Sequence, residues 1–189
     1  YLFEIRQGAM PKTILQHDEV GHTDEATKEL RHHLPELKLP SKPTRLMKHL
    51  LSIANVQEDD VVLDCYGGTG AMGEAIFSLE ADGNPAPSFI LIEFPEKLDG
   101  QDLTLSEAMV RRLTLSSKHN KDRVIGFRTF RLGQSNFRRW DGNTAGKDDL
   151  LNRVNEHVEH LREDAEDDSL LFELLLSAGL PLRTPFTLI

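Results

Sequence analysis

A single cysteine, Cys65, stands in the 189 residues, so no internal disulfide framework and no cysteine cluster for zinc is available to this chain. One thiol fits a reducing, cytoplasmic setting. Long apolar runs are also lacking: none approaches the roughly 18 residues that a membrane span needs, and no membrane partner is expected. Positive charge is in short supply, with 22 Lys and Arg against 31 Asp and Glu and a formal net charge of -9. Because nonspecific affinity for nucleic acid comes largely from Lys and Arg, this chain is not expected to be the main phosphate-binding surface of a nucleic-acid enzyme. Tyr1 to Arg6 is too short and too charged for a signal peptide, and the sequence reads as an excised piece. The histidines do not suggest a metal site. His32 and His33 are adjacent, and His157 and His160 lie among Glu156, Glu159 and Glu163, so all four read as solvated surface.

What is present is ordinary globular composition, 39% hydrophobic and 28% charged, in a length that buries one main core. Residues 1–24 carry no strong period and, punctuated by Gly8, Pro11 and Gly21, read as extended or loop structure. From Thr23, taken as an N-cap, a short helix runs through Leu30 towards Leu34 and is broken by Pro35. A second helix starts near Pro43, with Leu46, Leu50, Leu51 and Ile53 as its buried face and Asn55 as its stop. Val61-Val62-Leu63 is β-branched and short, as in buried parallel strands, and ends at Asp64. After a glycine turn, Met72, Ala75, Ile76 and Leu79 mark a helix, and Phe89-Ile90-Leu91-Ile92 a second buried strand ending at Glu93. Strand, turn, helix and strand within about 30 residues form a βαβ unit, which places the chain in the α/β class with a mostly parallel sheet flanked by helices.

Further along, Thr104 to Leu115 reads as a helix packing through Leu105, Met109, Val110 and Leu113. Val124 to Leu132 reads as a strand. There Arg128, Arg131, Arg138 and Arg139 interleave with Phe127, Phe130, Phe137 and Trp140, more in the manner of an amphipathic strand than of a nucleic-acid contact. A charged helix is expected from about Asp148 to Glu163, and Ser169 is read as the cap of a last helix ended by Gly179 and Pro181. The organisation expected is a lead-in segment over 1–40, a core over 41–145 and a helical segment over 146–189.

The segment with chemical content runs from Asp64 through Cys65, Tyr66, Gly67, Gly68, Thr69 and Gly70 to Gly73. Gly68, Gly70 and Gly73 satisfy the G-x-G-x-x-G dinucleotide fingerprint, with Glu93 twenty residues on, so an NAD-binding oxidoreductase domain is one reading. Asp64 points another way. A pyrophosphate is served by bare backbone N–H groups at a helix N-terminus, where a carboxylate is an electrostatic liability. S-Adenosylmethionine carries an ammonium and a sulfonium and no phosphate, and suits an acidic turn. Glu93 suits ribose hydroxyls in either cofactor and does not discriminate. A tight turn with no ligand is the plainest alternative.

Asp64-x-Tyr66-x-Gly68-Thr69-Gly70 resembles the S-adenosylmethionine motif of the DNA amino-methyltransferases. Further blocks, Val20-Gly21, Glu25 to Leu30, Lys42-Pro43 with Leu46, Phe89 to Glu96, Phe130-Arg131-Leu132 with Ser135-Asn136-Phe137, and Leu174 to Pro181, resemble in order the C-terminal part of type III restriction-modification modification subunits. That resemblance implies a partial Rossmann-like S-adenosylmethionine-dependent methyltransferase fold and an adenine-N6 target in DNA. It implies a methionine-end pocket that includes Ser41, Lys42 and Pro43, with Lys42 available to a carboxylate. The cofactor set so implied is Ser41, Lys42, Pro43, Asp64, Cys65, Tyr66, Gly68, Thr69, Gly70 and Glu93. Gly67 stands where the family often has Ala, and Cys65 where an aromatic is common, which suggests a looser turn.

The family's Asp/Asn-Pro-Pro-Tyr catalytic segment is not in the sequence; Asn84-Pro85-Ala86-Pro87 sits in a loop and lacks the aromatic. In the family's motif order that segment precedes the Lys-Pro block, upstream of Tyr1, so the chain alone is not expected to methylate DNA. DNA, held mainly through other regions, a second copy of the chain and a restriction subunit are the candidate partners. An inert cofactor-fold module kept for protein association is the non-enzyme alternative.

Overall fold

The computed structural model describes residues 11–84, 86–118, 126–138 and 161–187. The chain divides into two compact units, residues 1–129 and residues 130–189.

In the first unit the helices are α1 (His17–Val20), α2 (Thr23–His33), α3 (Thr44–Ile53), α4 (Ala71–Ala81) and α5 (Leu105–Lys118), and the strands β1 (Val61–Asp64) and β2 (Ser88–Leu91). The expected loop before residue 24 therefore contains one helical turn, α1. α2 is capped by the His22 side chain, which accepts from the Glu25 N–H at 3.3 Å, rather than by Thr23. Asp24 and Glu25 in its first turn and Arg31, His32 and His33 in its last complement the helix dipole. α3 has Pro43 at its N-cap, which offers no side-chain acceptor. Glu29 of α2 supplies one instead, accepting from Thr44 N–H at 2.9 Å and Thr44 Oγ1 at 2.8 Å. At the other end Asn55 takes a left-handed φ of 54°, and Val56 N–H bonds Leu51 C=O at 3.2 Å, closing the helix as a Schellman turn.

β1 and β2 pair in parallel, with Val62 opposite Phe89 and Asp64 opposite Leu91. This is the expected βαβ arrangement, and it forms a two-stranded sheet among the described residues. Val62, Phe89 and Leu91 pack inward. Val61, Leu63 and Ile90 on the opposite face are more than half exposed. The strands are thus buried on one face and not on both, because no described element lies over the second.

The core forms around α4, whose Ala75, Ile76 and Phe77 are buried, with Met47 and Leu51 of α3 on one side and Met109 and Leu113 of α5 on the other. Phe77 stacks edge-on against Phe89 at 5.5 Å. Met47, not Leu50 or Ile53, shares the inward face of α3 with Leu51; Leu50 and Ile53 are exposed. Leu30, Leu34 and Leu37 make a second cluster with Leu103 and Ala108. Residues 126–132 form no strand, and Phe127 instead packs against Phe77.

The second unit contains α6 (Asp167–Ser177), which begins two residues before the expected cap, with Glu166 at its N-cap position. Ser169 lies inside it and accepts from Asn136 Nδ2 at 3.0 Å. Asn136 is buried and is held twice more by Glu173, through its N–H at 2.6 Å and its Nδ2 at 2.7 Å. Phe172 packs edge-on against Phe130 and Phe186. Residues 161–163 are not helical, and Leu161 bridges to Phe137. The rest of the charged helix expected from Asp148, with His157 and His160, and likewise Arg139 and Trp140, lies outside the described residues. No described helix is long and apolar enough to cross a membrane.

Candidate functional site

Two parallel strands end on the same edge of the sheet, and the residues that follow them build one turn. Ile92 N–H bonds Asp64 C=O at 2.8 Å and Gly67 N–H bonds Ile92 C=O at 2.9 Å, so the backbone after β1 stays tied to the extension of β2. This brings Asp64 and Glu93, both half-buried, to the two sides of the glycine segment. The edge at the carboxyl ends of the strands is where open α/β sheets bind ligands.

Several backbone donors of this turn are already engaged. Tyr66 N–H donates to Asp64 Oδ1 at 3.0 Å, Gly68 N–H to Glu93 Oε2 at 2.5 Å, and Gly70 N–H to Gly67 C=O at 2.8 Å. Glu93 Oε1 accepts from Phe94 N–H at 2.9 Å. A carboxylate therefore sits where a phosphate would need bare N–H groups. The left-handed conformation falls on Gly68 (φ 55°) and on Gly70 (φ 84°), the N-cap of α4, where a side chain is strained.

The other two glycines serve packing. A Cβ on Gly73 would lie 2.7 Å from Leu113 Cδ2, and one on Gly67 would lie 2.8 Å from Met109 Sδ. Gly67 is buried, and its neighbours press on the position. Gly67 thus lies under helix α5, where an Ala would displace the end of the Met109 side chain.

The Lys-Pro segment reaches this turn through Ser41. Ser41 Oγ and Thr69 Oγ1 are 2.8 Å apart although 28 residues separate them, and both side chains are buried. Pro43 is buried and packs near Gly21, where a Cβ would lie 2.8 Å from Pro43 Cβ. Lys42 and Cys65 are exposed, as is Tyr66 at 81%. Of the ten residues singled out from the sequence, three pairs are joined by hydrogen bonds: Asp64 with Tyr66, Gly68 with Glu93, and Ser41 with Thr69. Among the described residues no hydrogen bond ties the Lys42 or Cys65 side chain to any of these pairs.

Sequence reasoning missed Arg112, which lies in α5 and is fully buried. Its Nη1 donates to Ser41 Oγ at 3.1 Å and Thr69 Oγ1 at 3.0 Å, and its Nε donates to Glu74. The remaining oxygen of Glu74 meets His33 Nε2 at 2.9 Å. His33, read from the sequence as solvated, is in fact turned inward, with its side chain 8% exposed, because Glu74 and Ser116 offer it partners. Among the described residues no group of three or more His, Cys, Asp or Glu side chains is placed to hold a metal ion.

No protein-family model matches the chain. The chain is similar to the type III restriction-modification enzyme EcoP15I Mod subunit of Escherichia coli, at 29% identity over 117 residues. The match takes in 57% of this chain and 18% of the relative. The similarity is thus distant and local: the chain corresponds to less than a fifth of the length of that subunit. Together with the mixed α/β architecture and its parallel strand pair, it relates this chain to one region of a restriction-modification modification subunit.

Proposed function

We propose that this chain is the S-adenosylmethionine-binding portion of a DNA adenine-N6 methyltransferase of a type III restriction-modification system, folded as part of a Rossmann-like domain. The observation that carries the reading is the pair of strand-end carboxylates around the glycine turn, with Glu93 occupying the Gly68 N–H. In NAD-binding turns a pyrophosphate takes backbone N–H groups of this kind, and at Gly68 the Glu93 carboxylate takes it instead. The methyl donor brings a cationic head, for which Asp64 keeps its second oxygen, and a ribose, for which Glu93 has unused lone pairs. Exposed Lys42, in the segment joined to the turn through Ser41 and Thr69, supplies a cation for the donor's carboxylate. When bound, the cofactor supplies the electrophilic methyl group; these residues hold and orient it.

DNA and a restriction subunit are partners of the whole enzyme in this reading. The sequence contains no Asp/Asn-Pro-Pro-Tyr segment, so this chain by itself binds the donor without transferring its methyl group. Isothermal titration with S-adenosylmethionine and with NAD, each on the parent chain and on Asp64→Ala, tests it. Binding of the methyl donor that is lost in the variant, with no heat from NAD, is expected. Binding of NAD alone refutes the reading. Silence from both ligands in a folded chain favours an inert module kept for association.

A further inference from the structure

Arg112 is the largest fully buried side chain among the described residues, and its position is costly. Removing a guanidinium from water costs several kcal/mol, and an apolar side chain of similar size is often as stable or more so. Stability alone therefore does not account for it. Its contacts do. Nη1 reaches Ser41 Oγ at 3.1 Å, Thr69 Oγ1 at 3.0 Å and Thr69 C=O at 3.4 Å. Ser41 immediately precedes Lys42, and Thr69 lies between the two left-handed glycines of the turn. The guanidinium is aimed by Glu74, which accepts from Nε; Glu29 Oε2 lies 3.9 Å from Nη2, close enough for charge attraction, though Nη2 itself has no hydrogen-bond partner among the described residues. Those two carboxylates come from helices α4 and α2. Glu29 also caps α3, the helix that the Lys-Pro segment leads into.

We infer that Arg112 is the positioning residue of this pocket: one guanidinium joins the Lys-Pro segment to the glycine turn and fixes the separation of the two walls between which the methyl donor sits. The inference rests on the reading of the site as a methyl-donor pocket. Its planar fork is the feature that matters, because a Lys ammonium keeps the charge but does not meet Glu74, Ser41 and Thr69 from one rigid group.

The test compares the parent chain with Arg112→Lys, Thr69→Val and Thr69→Ser. Affinity for S-adenosylmethionine is titrated well below each melting midpoint, and amide hydrogen exchange is followed at residues 68–70 without ligand. Arg112→Lys and Thr69→Val are expected to weaken binding about tenfold, the scale of one hydrogen bond to a charged group, whereas Thr69→Ser keeps the hydroxyl and restores affinity. The double variant Arg112→Lys with Thr69→Val is expected to be little weaker than either single one, because both break the same link. Exchange at residues 68–70 should quicken in Arg112→Lys and Thr69→Val and not in Thr69→Ser. A lower melting point with unchanged affinity and unchanged exchange at the turn makes Arg112 merely structural and overturns the inference. If Arg112→Lys does not fold, the Thr69 pair decides alone: equal affinity of Val and Ser overturns it. A parent chain that binds no S-adenosylmethionine refutes the pocket reading itself, and with it this role, a result distinct from binding that the variants leave unchanged.

Discussion

Gly73 offers the sharpest check on how helix α4 meets its neighbours. A Cβ there would lie 2.7 Å from Leu113 Cδ2 and 3.1 Å from Leu91 Cδ1, against an ordinary carbon contact of about 3.5–4.0 Å. Leu113 must withdraw by roughly 1 Å, and it is only 2% exposed, packed with Phe77 and Met109. Overpacking of this kind costs about 1–3 kcal/mol, while Ala in place of a helical Gly returns up to about 1 kcal/mol. Gly73→Ala is therefore expected to destabilise by about 1 kcal/mol net, or about 2–4 °C in melting temperature for a chain of this size. Thermal and urea unfolding measure it. In a Leu113→Ala background both Leu113 Cδ atoms are gone and only the 3.1 Å approach to Leu91 Cδ1 remains, so the cost of the same Gly73→Ala change should vanish or turn into a gain of less than the helix-propensity difference of about 1 kcal/mol. An equal cost in both backgrounds, or a gain in the parent chain, refutes the packing account.

Gly68 behaves differently, because its nearest obstacle to a Cβ is Tyr66 C=O at 3.8 Å while its φ is 55°. Gly68→Ala should cost about 1–2 kcal/mol from backbone strain alone, and Gly68→Asn less, as read from denaturation midpoints. Arg45 donates to both oxygens of Glu25, at 2.7 and 2.8 Å, and these hydrogen bonds hold the Glu25 carboxyl below the usual carboxylate range. Since the folded-state pKa is the lower one, the stabilisation is present above the unfolded value and is lost as pH falls through the folded value. Glu25→Gln should thus melt slightly below the parent at neutral pH, the gap closing in acid; a gap that widens on acidification contradicts the assignment. In the second unit, Asn136→Ala removes the groups that Ser169 and Glu173 hold and should cost about 1–3 kcal/mol, seen as earlier proteolysis of residues 161–187.

Much of the first unit is written locally. The apolar period of α4, the β-branched run of β1, Asn55 as a left-handed stop and the paired glycines of the turn each depend on a few adjacent residues, so a reading along the chain finds them. The candidate turn is legible for the same reason: Asp64 to Gly70 is contiguous, and Glu93 ends the next strand. Where the expectations fail, the deciding partner is distant. Val124 to Leu132 alternates well enough for a strand, yet in the described part, residues 126–132, no neighbour supplies a ladder and Phe127 goes to Phe77 instead.

By itself the sequence determined an α/β chain with a glycine turn between two short parallel strands, because periodicity, turn chemistry and capping act over a few residues. The tertiary structure alone decided how the side chains around that turn are used. Arg112 lies between Met109 and Leu113 on an apolar stripe, and only the approach of Ser41, Thr69 and Glu74, 38 to 71 residues away in sequence, makes burial of its charge possible. Glu93 closes on Gly68 across 25 residues by the same kind of meeting. A buried charge or a consumed backbone donor is defined by the partner it finds, and which partner arrives is a property of the packing of helices and strands.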